Sequence, residues 1–110
     1  MATGFPLQRV AMDILGPLPE TSHHNHYIVV MIDTFTRWPE AAAIPNMEAA
    51  IVAHVFIDTF ISRYGAPVQL HTDQGRQFES HLFQQVCHLL GIRKTRTTTY
   101  HPQSDGASER

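Results

Sequence analysis

The stretch Tyr27-Ile28-Val29-Val30-Met31-Ile32 is an unbroken apolar run rich in β-branched residues, the pattern of a strand buried on both faces. Upstream, Arg9-Val10-Ala11-Met12-Asp13-Ile14 is a shorter β-like run closed by Gly16-Pro17. The polar link from Glu20 to His26 has the composition of a hairpin loop. Downstream, Trp38 to Ile44 reads as a third strand, weakened by Ala41-Ala42-Ala43. Three strands on short polar links predict an antiparallel meander. That opening argues against a flavodoxin-like doubly wound sheet, the competing architecture, in which helices intervene between strands from the start.

After Pro45-Asn46 the period changes. Asn46 is a candidate helix N-cap, and Ala49, Val52, Phe56, Phe60 and Tyr64 step along one face at three- and four-residue intervals. Gly65 and Pro67 stop that helix. Val68 to Thr72 is a short strand that ends at Asp73. A second helix is expected from Ser80, with Leu82, Val86 and Leu89 on one face and Gly91 as its stop. Ile92 to Thr98 is β-rich and runs into the loop Tyr100 to Gly106, and Ala107-Ser108-Glu109-Arg110 would open another helix. The order strand–strand–strand–helix–strand–helix–strand predicts an α/β fold with a mixed five-stranded sheet. Its first three strands are antiparallel and the next two parallel, joined by right-handed crossovers.

With 110 residues the chain is at most one domain, with a core of modest size. A hydrophobic content of 43% with 16% charged residues is ordinary globular composition, which excludes a disordered chain. No apolar run approaches the roughly 18 residues that cross a bilayer, and no signal peptide opens the chain. A soluble, intracellular protein is expected. The single Cys87 cannot form an internal disulfide and reads as buried filler. The formal charge of −2 is poor for a free-standing DNA binder, because Lys and Arg contacts to phosphate supply most non-specific affinity. Basic residues do group locally at Arg93, Lys94 and Arg96, with Arg76 and Arg110 close to acids.

Three acids carry the candidate chemistry. Asp13 ends the run Val10-Ala11-Met12, Asp73 stands in His71-Thr72-Asp73-Gln74-Gly75, and Glu109 follows Asp73 after 35 intervening residues. They lie on three different predicted elements, each near glycine. Hard divalent ions take oxygen ligands from a few carboxylates, and two such ions can clamp the attacking and leaving oxygens of a phosphoryl transfer. Spacing alone leaves them either as such a set or as unrelated surface acids. Asp33, Glu40, Glu79 and Asp105 are competing acids, and Asp33 ends an apolar strand much as Asp13 does. His23, His24 and His26 have no paired cysteines and read as a solvated hairpin tip rather than a zinc site.

Five segments in order carry a resemblance. They are Gln8 to Pro19, Ile32 to Ala41 (Ile-Asp-Thr-Phe-Thr-Arg-Trp-Pro-Glu-Ala), Tyr64-Gly65-Ala66-Pro67, Thr72 to Phe78 (Thr-Asp-Gln-Gly-Arg-Gln-Phe), and Tyr100-His101-Pro102-Gln103-Ser104-Asp105-Gly106. Together they resemble the catalytic core of retroviral-type integrases, in the branch carried by gypsy-type LTR retrotransposons, over nearly the whole chain. The resemblance implies a ribonuclease H-like fold and one catalytic core domain over residues 1–110, incomplete at its C-terminus. It implies Asp13, Asp73 and Glu109 as catalytic residues and as ligands of two Mg²⁺ or Mn²⁺ ions, with Asp33 off the metal site. It also implies 3′-end processing and DNA strand transfer, DNA as partner with homo-oligomerisation in the full-length protein, and work in the nucleus. DNA contacts are expected at His101, Gln103, Ser104, Arg76 and Arg110. The alternatives are a ribonuclease H-like nuclease and a non-catalytic domesticated or decaying integrase fragment.

Overall fold

The computed structural model describes residues 4–19 and 24–97. Five strands form one sheet: β1 (Arg9–Leu15), β2 (Tyr27–Asp33), β3 (Pro39–Ile44), β4 (Gln69–Thr72) and β5 (Arg93–Arg96). Their order across the sheet is β3-β2-β1-β4-β5. β1 pairs antiparallel with β2, and β2 antiparallel with β3; β1–β4 and β4–β5 are parallel. This is the mixed sheet the sequence predicts.

Alternation along the strands sends Val10, Met12, Val29, Met31, Ile44 and Leu70 to one face. There they meet Val52, Phe56, Phe60, Phe78, Phe83 and Cys87 from the helical segments in a single core. Ile28, Val30 and Ile32 point to the other face and are half-buried. The expected two-sided burial of β2 is thus complete on one side only among the described residues.

The first helical rod has three parts: α1 (Ala49–Val55), a π-helical stretch (Phe56–Ile61) and α2 (Ser62–Tyr64). Its sequence explains the π stretch. Val52, Phe56, Phe60 and Tyr64 recur at every fourth position, which overshoots a 3.6-residue turn by about 40° each time. The wider π turn absorbs that drift, so Phe56 and Phe60 are both fully buried and Phe60 stays against Tyr64 at 5.0 Å between ring centroids.

Three local features differ from the sequence expectation. The second helix buries Phe83 and Cys87, with Val86 half-buried, and leaves Leu82 and Leu89 of the expected face exposed. Asn46 does not cap α1. Its carboxamide oxygen accepts the Glu48 N–H at 2.9 Å, an Asx turn that leads into the helix, and Glu48 is the N-cap. A short helix, α3 (Arg76–Glu79), precedes α4 (His81–Leu89). At the start of α4, Ser80 Oγ accepts from Phe83 N at 3.1 Å, as a serine N-cap should. Gly91, at φ +72°, ends the turn before β5.

Phe56→Ala, at the centre of the core, should destabilise the fold by about 3–5 kcal/mol, read as a shift in urea midpoint. Cys87 is buried, and that burial pushes its thiol up to about 11, so alkylation by iodoacetamide at neutral pH should be slow until the chain is unfolded.

Candidate metal centre

Strand direction assembles the site. The β1–β4 register is Arg9 with Gln69, Val10 with Leu70 and Ala11 with His71. Carried two residues beyond that ladder, the same register would align Asp13 with Asp73, which follows the last residue of β4. Residues opposite one another share a face, so both carboxylates stand on the side away from the helices, and both are exposed. The other neighbour of Asp13 is Val30 of β2, which brings no charge.

Each acid is anchored by one oxygen. Asp13 Oδ1 accepts the Ile14 N–H at 2.8 Å, and Asp73 Oδ1 accepts the Gly75 N–H at 2.7 Å. The second oxygen of each has no partner among the described residues. Gly75 is needed for this turn: a Cβ there would lie 2.9 Å from Asp73 Oδ1 and 2.8 Å from Gln77 Nε2. Two hard-oxygen donors side by side, exposed and uncommitted, fit a divalent cation of the Mg²⁺ class. Glu109, the third expected ligand, lies outside the described residues, as do His101, Gln103, Ser104, Asp105 and Arg110. No group of three His, Cys, Asp or Glu side chains able to hold a metal occurs among the described residues.

The competing acids have other work. β1 and β2 are antiparallel, so Asp33 lies at the opposite end of the sheet, across from Val10. It is 4% exposed, and its two oxygens accept the Leu7 and Phe35 N–H groups at 3.0 Å each, clamping two loops. Glu79, at the end of α3, accepts from Lys94 at 3.4 Å and Arg96 at 2.7 Å. Those two cations of the predicted basic cluster are therefore bound to an acid. Glu40 accepts from Tyr64 Oη, from Trp38 Nε1 at 3.1 Å and from Arg63 at 3.3 Å. The Tyr64 bond, then that of Trp38, holds its carboxyl below the usual carboxylate range.

Arg76 is exposed on the first residue of α3, beside a concavity of about 530 Å³ lined by Met47, Glu48, Ala49, Gln77 and Ser80. Another, of about 540 Å³, lies at the Asp33 end between Leu7, Trp38, Phe60 and Tyr64. Size does not locate the chemistry here; the carboxylates do. One feature carried little weight in the sequence: Gln69, His71 and Asp73 alternate onto one face, as do Thr95 and Thr97 beside them. Burial first, then the charges of Arg9 and Lys94, push His71 below the ordinary histidine value and favour its neutral form.

The chain is similar to known proteins in sequence and in fold. The family profile described as "Integrase core domain" matches residues 5–102. The Pol polyprotein of transposon 412 from Drosophila melanogaster is 33% identical over 93% of this chain, which spans 8% of that protein. The Gag-Pol polyprotein of feline leukemia virus is 40% identical over 76% of this chain, here 5% of its length. Among solved structures, the catalytic core domain of BIV integrase superposes with a TM-score of 0.69 at 34% identity, covering 94% of this chain and 62% of that one. The HTLV-2 integrase catalytic core domain in complex with magnesium shares the fold, with a TM-score of 0.73 over 83% of this chain and 61% of that one, at 22% identity. The chain belongs to the integrase core domain family and has the ribonuclease H-like fold of retroviral-type integrase catalytic cores.

Two aspartates at strand ends should respond in opposite ways. Asp33→Asn replaces one acceptor of a buried backbone N–H by an NH₂ group, which should cost about 1–3 kcal/mol and leave Mn²⁺ binding unchanged. Asp13→Asn should abolish Mn²⁺ binding and leave the melting temperature equal or higher, because it removes carboxylate repulsion. Thermal melts and Mn²⁺ titrations on both proteins check this.

Proposed function

We propose that this chain is the catalytic core of a retrotransposon integrase, a polynucleotidyl transferase that trims the element's 3′ ends and joins them to target DNA. The observation that carries the proposal is the parallel β1–β4 register, which lines Asp13 up with Asp73 at one sheet edge. Asp13, on the central strand, and Asp73, just past its neighbour, would hold divalent metal together with Glu109. When bound, Mg²⁺ or Mn²⁺ supplies Lewis-acid stabilisation of the entering and leaving oxygens.

The residues' own work is positioning. The Ile14 and Gly75 N–H groups hold one oxygen of each acid, leaving the other turned outward. In trimming, water oxygen bonds to a phosphodiester phosphorus and the P–O3′ bond breaks, with the departing oxygen taking a proton. In joining, the freed 3′-hydroxyl takes the place of water at a target phosphodiester. One P–O bond forms for each one broken, so no ATP is consumed.

DNA as partner and self-association are proposed from the relatives. One similar structure is an intasome, that of simian T-cell lymphotropic virus with a PP2A regulatory subunit, at 27% identity over 96% of this chain and 37% of that one, with a TM-score of 0.76. The HTLV-2 core is described as dimeric. The reaction so proposed is nuclear. Because the chain spans 8% and 5% of the two polyproteins named above, DNA binding is assigned to the longer protein. The net charge of −2 favours that division.

In the chain extended to the length of those relatives' integrases, Asp73→Asn should reduce Mn²⁺-dependent strand transfer to background, a loss of at least about a thousandfold. Near-normal joining of a labelled long-terminal-repeat end by that variant would remove the proposal. Cleavage of RNA–DNA hybrid in place of joining would point to a ribonuclease H-like nuclease.

A further inference from the structure

We infer that His71 is a positioning residue for the acid pair, acting through a row of side chains that ties the flanks of Asp73 to the exit of β5. The inference rests on the metal reading of Asp13 and Asp73.

β4 is only four residues long and pairs with β1 over three of them, so Asp73 stands two residues beyond that ladder and one beyond the β4–β5 ladder. On the β1 side, backbone pairing alone would leave that end free to fray. Side chains on the acid-bearing face supply the extra hold. Gln69 Nε2 donates to Thr95 Oγ1 at 3.0 Å, and His71 Nδ1 lies 2.8 Å from the same oxygen. His71 Nε2 lies 3.4 Å from Thr97 Oγ1. Gln74 Nε2 donates to the Thr97 carbonyl at 2.6 Å, and the Thr97 N–H donates to the Thr72 carbonyl at 2.9 Å. The residues before and after Asp73 are thus both bonded to Thr97.

Proton counting makes His71 the junction of this row. A threonine hydroxyl has one proton to give and two positions to accept. With the Gln69 amide donating into one position of Thr95 Oγ1, His71 Nδ1 pairs with that oxygen in either tautomer, taking its proton or donating into its second position, and Nε2 faces the Thr97 hydroxyl in the complementary role. One ring thus meets Thr95, in β5, and Thr97, one residue past it, on the same face. An alanine satisfies neither. His71 touches no reacting atom in this arrangement; it holds the residues that hold the ligand.

Mn²⁺ binding to the 110-residue chain, followed by water-proton relaxation, tests this together with thermal melts. His71→Ala should weaken Mn²⁺ binding roughly tenfold, within the range for residues that orient metal ligands. His71→Asn keeps a group at the Nδ1 position for Thr95 and should recover affinity to within about threefold of the parent. Thr95→Val should weaken binding in the same direction. The double variant H71A/T95V should be no weaker than H71A alone, because both break one row. Parent affinity in H71A or in T95V, or equal weakening in H71A and H71N, would overturn the role of His71, the last by showing that ring volume matters and not its hydrogen bonds. Asp73→Asn separates the two ideas. Unchanged Mn²⁺ binding there, or no binding by the parent chain, overturns the metal reading itself; loss there with parent affinity in H71A overturns only the positioning role.

Discussion

The direction of the two neighbours of β1 governs everything else in the molecule. β1 is the central strand, antiparallel to β2 and parallel to β4. An acid at the C-terminal end of a parallel neighbour arrives beside Asp13, and an acid at the C-terminal end of an antiparallel neighbour arrives at the far edge. Asp73 and Asp33 are the two cases. Both end a strand and both accept backbone N–H bonds, so strand direction is what sends them to opposite ends of the sheet. The crossover through the first helical rod, which allows β4 to run parallel to β1, brings a strand-end aspartate to the same end of the sheet as Asp13.

Burial then separates the chemistry of the two ends. Two carboxylates about 5 Å apart in water repel by only about 1 kcal/mol, so an exposed pair is tolerable without a cation between them. The same pair buried would be far more costly. Asp13 and Asp73 are exposed and keep one oxygen each turned outward, whereas Asp33 is enclosed and has given both oxygens to backbone donors. A buried acid with every lone-pair direction in use is a clamp. An exposed acid with one oxygen in reserve is a ligand. By that criterion Glu79 and Glu40 are clamps as well, joined to Lys94 and Arg96 in one case and to Tyr64, Trp38 and Arg63 in the other.

Most of this architecture was legible in the sequence because it rests on periodicity. The β-branched run from Tyr27, the change of period after Asn46 and the stops at Gly65 and Gly91 correspond to β2, the first helical rod and the ends of two helices. What was not legible rests on geometry that spacing does not encode. Asn46 had the composition of a cap, yet its side chain closes a turn two residues on. The four-residue spacing of Val52, Phe56, Phe60 and Tyr64 is compatible with an α-helix until the accumulated drift is counted, and the π stretch follows only from that count. Arg76 to Glu79 are too few to show a period, so α3 had no signal. At the site, Asp13 and Asp73 are named by the resemblance, while their arrival at the same end of the sheet depends on a parallel register that the sequence implies only through topology. The row from Gln69 to Thr97 had a period-two signature, but polar alternation in a strand is equally the mark of a solvated face.

Electrostatics orders the events in the proposed reaction. The chain carries a net charge of −2, and two cations of its β5 cluster, Lys94 and Arg96, are bound to Glu79, with the Lys94 side chain only 7% exposed. Two adjacent carboxylates on an acidic chain attract a divalent cation and repel a phosphodiester. A polyanion therefore meets an unfavourable field at this edge until positive charge has entered it, and a divalent cation, if held by Asp13 and Asp73, would supply that charge. Arg76, exposed on α3 directly after the Gly75 turn, is the described cation closest in sequence to Asp73 and would add to that charge. On the proposed reading the metal would be the first ligand and the nucleic acid the second, and Arg63, Lys94 and Arg96, held in ion pairs within the fold, would contribute little to phosphate contacts.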